Sequence, residues 1–318
     1  MLFNRTGASD AHVCRAFFDE LLERCRALPP IRMGVVHPCD PVSLKGALAA
    51  RDAGLVTPVI VAPRAKIASV AAAAGISLDD LDLVDAPHSH AAAARAVELV
   101  RGGEVDALMK GSLHTDELMG AVVREGSGLR TERRISHVFV LDVPSYCKPL
   151  LVTDAAINIA PTLAAKRDIA QNAIDLAHAL GIARPKLAAL SAVETVDAAI
   201  PSTIDAAALC KMADRGQITG ADVDGPLAFD NAISLEAAKT KGITSSVAGD
   251  ADILLAPDLE AGNILAKQLV YLAGAEDAGL VLGARAPIVL TSRADGVRAR
   301  VVSCALAQLF AHRTLEAV

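Results

Sequence analysis

With 318 residues, 53 % of them hydrophobic, 3 % aromatic and none tryptophan, the chain can form two domains, or one large one, around an aliphatic core of the kind found in parallel-sheet α/β proteins. A net charge of −6 argues against nucleic acid or an anionic membrane surface as the main partner, so any anion site must be a local cluster of cations. Six scattered cysteines (14, 25, 39, 147, 210 and 304) form no C-x-x-C pair and read as reduced thiols of a cytoplasmic protein; no signal peptide or membrane span is expected.

Residues 10–28 alternate apolar and charged positions at helical spacing until Pro29-Pro30 stops them. Strands are expected at 32–37, 58–62, 81–85 and 106–109, and helices at 43–53, 67–74, 90–101 and 114–124. This βαβα rhythm implies a largely parallel sheet. Runs 136–142 and 149–153 are joined by a short polar link that suits an antiparallel pair. Helices are then expected at 162–180 and 202–215 around a strand at 186–191, followed by a Gly/Asp-rich loop at 220–226 and a helix at 231–239. Strands at 252–256, 279–282 and 287–290 and helices at 262–273 and 297–310 complete the chain. The doubled pattern predicts two α/β lobes with a cleft between them: residues 1–137 plus 280–318, and residues 138–279.

Three segments bear chemistry. Pro287-Ile288-Val289-Leu290 runs into Thr291-Ser292-Arg293-Ala294-Asp295, a buried strand opening into a polar turn before a helix. Ligands of open α/β sheets bind past strand ends, helix N-termini attract anions, and arginine offers a planar fork of donors. Leu108-Met109-Lys110-Gly111-Ser112-Leu113-His114-Thr115 repeats this strand-to-turn plan, with Thr115 expected to cap and Asp116 and Glu117 in the first turn. Residues 128–137 hold Arg130, Arg133, Arg134 and His137, a basic density that suits a phosphate-bearing partner or a solvated loop.

Asp154, Asn158 and Asp230 are polar residues in apolar surroundings, each a cap or a site residue; the balance favours structure for Asn158 and a site-lining place for Asp230. Asn263 and Lys267 stand four apart on one helical face, a spacing that simple amphipathicity also gives. His88 and His90 read as capping or surface residues, not metal ligands. Dinucleotide, P-loop, nucleophile-elbow and zinc-protease signatures are missing from the sequence.

Together these segments resemble the phosphate acetyl/butyryltransferase family. Lys110-Gly111-Ser112-Leu113-His114-Thr115 looks like its strand-to-turn signature, and Gly128-Leu129-Arg130-Thr131 with Ser136-His137-Val138 is similar to the butyryltransferase branch. Asp154-Ala155-Ala156-Ile157-Asn158, Gly225-Pro226-Leu227 with Asp230-Asn231-Ala232, and Leu290-Thr291-Ser292-Arg293-Ala294-Asp295 follow in the family's order. The resemblance implies a two-lobed fold like that of isocitrate and isopropylmalate dehydrogenases, commonly a homodimer. It also implies the reaction acyl-CoA plus phosphate giving acyl phosphate plus CoA. CoA, acyl-CoA, phosphate and acyl phosphate are the expected partners, all as substrates, with no cofactor or metal.

By the same resemblance Ser292 and Arg293 hold phosphate and support the transition state. The acetyltransferase branch carries its thiol base, an Asp, seven residues after that serine; that position is Ala299 here, so Asp295 is the expected base. Gly120 stands about where related enzymes carry an arginine, and the charge then falls to Arg130, Arg133 or Arg134. The catalytic candidates are thus Ser292, Arg293 and Asp295. The substrate-binding candidates are Lys110, Ser112, His114, Thr115, Arg130, Arg133, Asp154, Asn158, Asp230 and Asn263. Two alternatives stand: a non-catalytic acyl-CoA or acyl-phosphate binder, suggested by Ala299, and a metal- and nicotinamide-dependent decarboxylating dehydrogenase using Asp250 and Asp252.

Overall fold

Short apolar runs bounded by polar turns become strands here because helices cover both of their faces. A computed structural model describes residues 17–126, 128–291 and 295–316. After α1 (Phe17–Arg26), the first half alternates β1 (Ile31–Val36), α2 (Pro41–Asp52), β2 (Val56–Ala62), α3 (Arg64–Ala74), β3 (Asp82–Asp85), α4 (Ser89–Arg101), β4 (Ala107–Lys110) and α5 (Thr115–Val122). The middle contains β5 (Ser136–Asp142), β6 (Leu150–Thr153), α6 (Leu163–Ala179), β7 (Lys186–Leu190), α7 (Pro201–Asp214) and β8 (Asp222–Leu227). The last part contains α8 (Phe229–Ile233), α9 (Leu235–Thr240), β9 (Ile253–Leu255), α10 (Leu259–Ala273), β10 (Glu276–Leu282), β11 (Ile288–Val289) and α11 (Val297–Glu316).

Helix starts are set by local acceptors. The Asp40 carboxylate accepts from Val42 N at 2.8 Å and Ser43 N at 2.9 Å, with Pro41 in the first turn, to open α2. Asp258 and Thr162 do the same for α10 and α6, and the His88 ring accepts from Ala91 N to open α4, the capping role expected of it. Thr115 is the first residue of α5, not its cap: His114 occupies that position.

Among the described residues the strands join into one eleven-stranded sheet of order β3-β2-β1-β4-β11-β10-β5-β6-β9-β7-β8. The strands from β3 to β11 are mutually parallel, as are β6, β9, β7 and β8. β10 is antiparallel to β11 and β5, and β5 is antiparallel to β6, the pairing expected of those two runs. The two parallel blocks therefore point in opposite directions and meet across β10 and β5. The boundaries expected between lobes fall within these two strands.

Helices α1, α2, α3, α6, α7 and α11 bury aliphatic side chains against one face. On the other face α4 and α5 cover the first block, and α8, α9 and α10 cover the second.

Two elements differ from expectation. The loop expected at 220–226 contains β8, an edge strand whose Gly225-Pro226 coincides with a register shift against β7; proline lacks a donor and is tolerated only at such an edge. The helix expected at 231–239 is two helices, broken at Ser234, whose hydroxyl accepts from Ala237 N to begin α9.

Candidate active site

The turns after β1 and β4 interlock. The Ser112 hydroxyl donates to the His37 carbonyl at 2.8 Å, lies 3.3 Å from His37 Nδ1 and accepts from Cys39 N at 3.2 Å. Gly111 makes this possible, because a Cβ there would stand 2.4 Å from the Val36 carbonyl oxygen. Lys110, buried at the end of β4, follows the pairs Ile288↔Leu108 and Val289↔Met109 and so lies beside Leu290, where the 291–295 turn begins. The buried Arg300 of α11 donates to the Thr291 hydroxyl and lies within electrostatic reach of Asp40 and Asp295.

Thr291 and Asp295 border a cleft of about 290 Å³ over the face of β5 and β10, roofed by α10. Its polar lining comes from Thr115, His137, Asn263, Lys267, Asp277, Thr291 and Asp295, and its apolar lining includes Phe139 and Val270. His137 is 1 % exposed and its ring packs edge-on to Phe139 at 4.4 Å. Burial holds its pKa well below the ordinary imidazole range, against the opposing charge of Asp154 and a hydrogen bond to the Leu290 carbonyl. The ring is therefore neutral. Nδ1 is buried and has no partner, so Nε2 carries the proton given to Leu290. Asp277 is pushed up to about 6, chiefly by burial and secondarily by the charge of Asp295.

A second cleft of about 580 Å³ is lined by Arg130, Arg133, Arg134 and Arg167, with Thr131, Thr162 and Asp168. Here the cations are exposed or half-buried: Arg133 is bonded to Asp175, and Arg167 pairs with Asp168 at 2.7 Å.

A buried joint links the two clefts. The Asp154 carboxylate accepts from the backbone N–H groups of Ala156, Ile157 and Asn158 and from Asn158 Nδ2 at 2.6 Å. Asn158 Nδ2 also donates to the Ile135 carbonyl, and its Oδ1 accepts from Arg134 Nε at 2.6 Å. Asn263 Nδ2 ties α10 to the same turn through the Ala155 carbonyl at 2.9 Å.

Of the residues named from sequence, Thr115, Asn263 and Asp295 meet in the first cleft, Arg130 and Arg133 in the second, and Asp154 and Asn158 lie between them. Lys110 and Ser112 sit at the β4 turn, and His114 is exposed at the start of α5. Asp230 is at the exposed start of α8, 3.6 Å from Lys241, which also binds Glu194. Ser292 and Arg293 lie outside the described residues, as does Cys14. The carboxylates of the dehydrogenase alternative, Asp250 and Asp252, are engaged by Lys148 and Lys186. Sequence reasoning missed Asp277 and Arg300; nothing in Glu276-Asp277-Ala278 or Arg298-Ala299-Arg300 separates either from a surface charge.

The family model described as phosphate acetyl/butaryl transferase matches residues 89–308. The chain is 63 % identical over 296 residues to a phosphate acetyltransferase of Rhizobium meliloti, spanning 93 % of this chain and 94 % of that one. It is 41 % identical over 294 residues to a phosphate butyryltransferase of Clostridium acetobutylicum, spanning 92 % and 98 %. A branched-chain phosphotransacylase from Enterococcus faecalis V583 superposes with a TM-score of 0.78 at 30 % identity, covering 89 % of this chain and 99 % of that one. A structure assigned as a 4-hydroxythreonine-4-phosphate dehydrogenase from Salmonella typhimurium shares the fold alone, with a TM-score of 0.58 at 15 % identity over 88 % and 99 %.

Proposed function

The chain belongs to the phosphate acetyl/butaryl transferase family, and on that premise we propose that it moves a short acyl group reversibly between CoA and inorganic phosphate. The observation that carries the reading is the pairing of a partly desolvated cleft, edged by the 291–295 turn, with an arginine-lined cleft next to it. Acyl exchange between a thiol and a phosphate asks the protein to hold two reactants and to neutralise phosphate charge. Positioning alone can supply roughly 7–11 kcal/mol.

In this reading Arg293, with Lys110 or Arg130, holds the phosphate, and Ser292 with the first N–H groups of α11 stabilises the oxyanion. Thr115 and Asn263 line the acyl and thiol end, and Arg130, Arg133 and Arg134 receive the phosphates of CoA. Ser112 and His114 contribute through the β4 turn, Asp154 and Asn158 hold the two clefts in register, and Asp230 serves from the α8 turn. No cofactor enters the scheme.

A homodimer is supported by apolar groups left open on and near α10, namely Ile264, Tyr271, Leu272 and Phe229; a monomer by light scattering would overturn it. A reducing, cytoplasmic setting is supported by the unpaired thiols of Cys25, Cys39, Cys147, Cys210 and Cys304. Among the described residues no helix is long and apolar enough to cross a membrane.

Acetyl-CoA, propionyl-CoA and butyryl-CoA, each with and without phosphate, test the reading by thiol release. Phosphate-dependent release is expected. Acyl-CoA binding without turnover would support instead the non-catalytic binder that Ala299 suggests.

A further inference from the structure

The transfer needs a group that takes a proton from the CoA thiol, because an unperturbed thiol near pKa 8.5 is mostly protonated at neutral pH. Ala299 cannot do so. The first cleft contains two carboxylates, Asp277 and Asp295, in the same lining as Thr291, Asn263 and the buried His137. We infer that Asp277 is the proton acceptor for the thiol and that Asp295 adjusts its basicity. The inference deepens the acyltransferase reading and rests on it.

Geometry favours Asp277. It stands at the start of β10, one residue before Ala278, on a rigid strand. The pairing Leu280↔Val289, continued two residues along, sets Thr291 opposite Ala278. Asp277 thus lies next to Thr291, just past the end of the β11 ladder. Asp295 lies two residues before α11 and is drawn toward Arg300. The charged and titratable groups around Asp277 are Asp295 from the turn, His137 from β5, and Lys267 and Tyr271 from α10. Nearby on α11, Arg298 is occupied by Glu276 and Asp19. Burial and the Asp295 charge hold the Asp277 proton up to about pH 6, which makes it a far better base at pH 7 than an ordinary carboxylate.

The step balances. The thiol S–H bond breaks as its proton moves to a carboxylate oxygen of Asp277, and the sulfur pair attacks the acyl carbonyl carbon of the acyl phosphate. The tetrahedral adduct collapses with cleavage of the C–O bond to phosphorus. The departing phosphate oxygen takes the electron pair and then the proton from Asp277, which returns as carboxylate. In reverse, phosphate yields its proton to Asp277 as it attacks the thioester, the C–S bond breaks, and the thiolate recovers that proton.

The test is the pH dependence of kcat/KM for acetyl phosphate plus CoA in the wild type, Asp277→Asn and Asp295→Asn. The wild type should lose activity below about pH 6. Asp277→Asn should lose on the order of 10²-fold and show no acidic limb. Asp295→Asn should keep a limb, moved to lower pH because a neighbouring negative charge has gone. Asp277→Asn within threefold of wild type, with the limb unmoved, would overturn the assignment. If that variant fails to fold by circular dichroism, Asp277→Glu decides: a displaced limb supports the role, an unmoved limb ends it. A wild type with no phosphate-dependent thiol release removes the acyltransferase reading itself, a failure visible before any variant is made.

Discussion

The two clefts meet at one turn yet treat charge in opposite ways. In the second, the arginines stand in or near solvent, three of them beside an acidic or amide partner: Arg133 beside Asp175, Arg167 beside Asp168 and Arg134 beside Asn158. Such pairs are screened and individually weak, but together they form a positive surface in a chain of net charge −6. In the first, His137 and Asp277 are withdrawn from water, and both are displaced toward their neutral forms. Exposure suits a region that captures anions; burial suits one that moves a proton. The comparison teaches that the number of charges says little about a site until their hydration is known.

The most damaging way to break this arrangement is at the joint. Asp154→Ala should cost about 3 kcal/mol, because it strands the buried Asn158 N–H, the half-buried N–H groups of Ala156 and Ile157 and one hydrogen of the Asn158 amide. Denaturant unfolding measures this, and a loss below 1 kcal/mol would mean that the clefts are held in register by other contacts.

A somewhat smaller effect, of opposite sign, separates the regions by pH. Native Asp277 binds its proton up to about pH 6, whereas the unfolded chain releases it near the ordinary carboxylate value of 3.8. The native state therefore holds more protons in that window, and this group's contribution to stability falls as pH rises from 3.8 to about 6 and stays low above it. Asp277→Asn should then stabilise the protein by about 2–3 kcal/mol at pH 7.5 and by little at pH 3.5. A melting series at both pH values is sufficient, and an equal shift at each would remove the linkage.

The mildest change lies in the arginine cleft. Arg134→Ala should raise KM for CoA about tenfold, leave kcat within twofold and flatten the salt dependence of KM. A fall in kcat with unchanged KM would mean that the two regions do not divide their labour in this way.

Much of the fold was legible because apolar runs of four to seven residues and their polar turns act locally: the strand expected at 136–142 is β5 at the same bounds. The edge strand β8 was not, because Asp222-Val223-Asp224-Gly225-Pro226 looks like a loop until β7 supplies the partner. For the site, sequence pattern located turns but not depth. Thr115, Asn263 and Asp295 share a cleft as distant segments that only the sheet brings together. Asp277 was hidden because its importance comes from an antiparallel ladder that sequence spacing does not encode, and Asp230 looked buried but is on the surface.

Gly279 sets the floor of the first cleft. A Cβ there would come within 2.6 Å of His137 Nε2 and 3.2 Å of the Leu290 oxygen. The imidazole can keep its place beside the Leu290 carbonyl only because that one carbon is missing. Any larger residue would lever the ring upward into the space that an acyl chain would fill. The capacity of the chamber is thus governed from beneath, by a position that no substrate would touch, and chain-length preference could be altered there without changing a single residue of the roof.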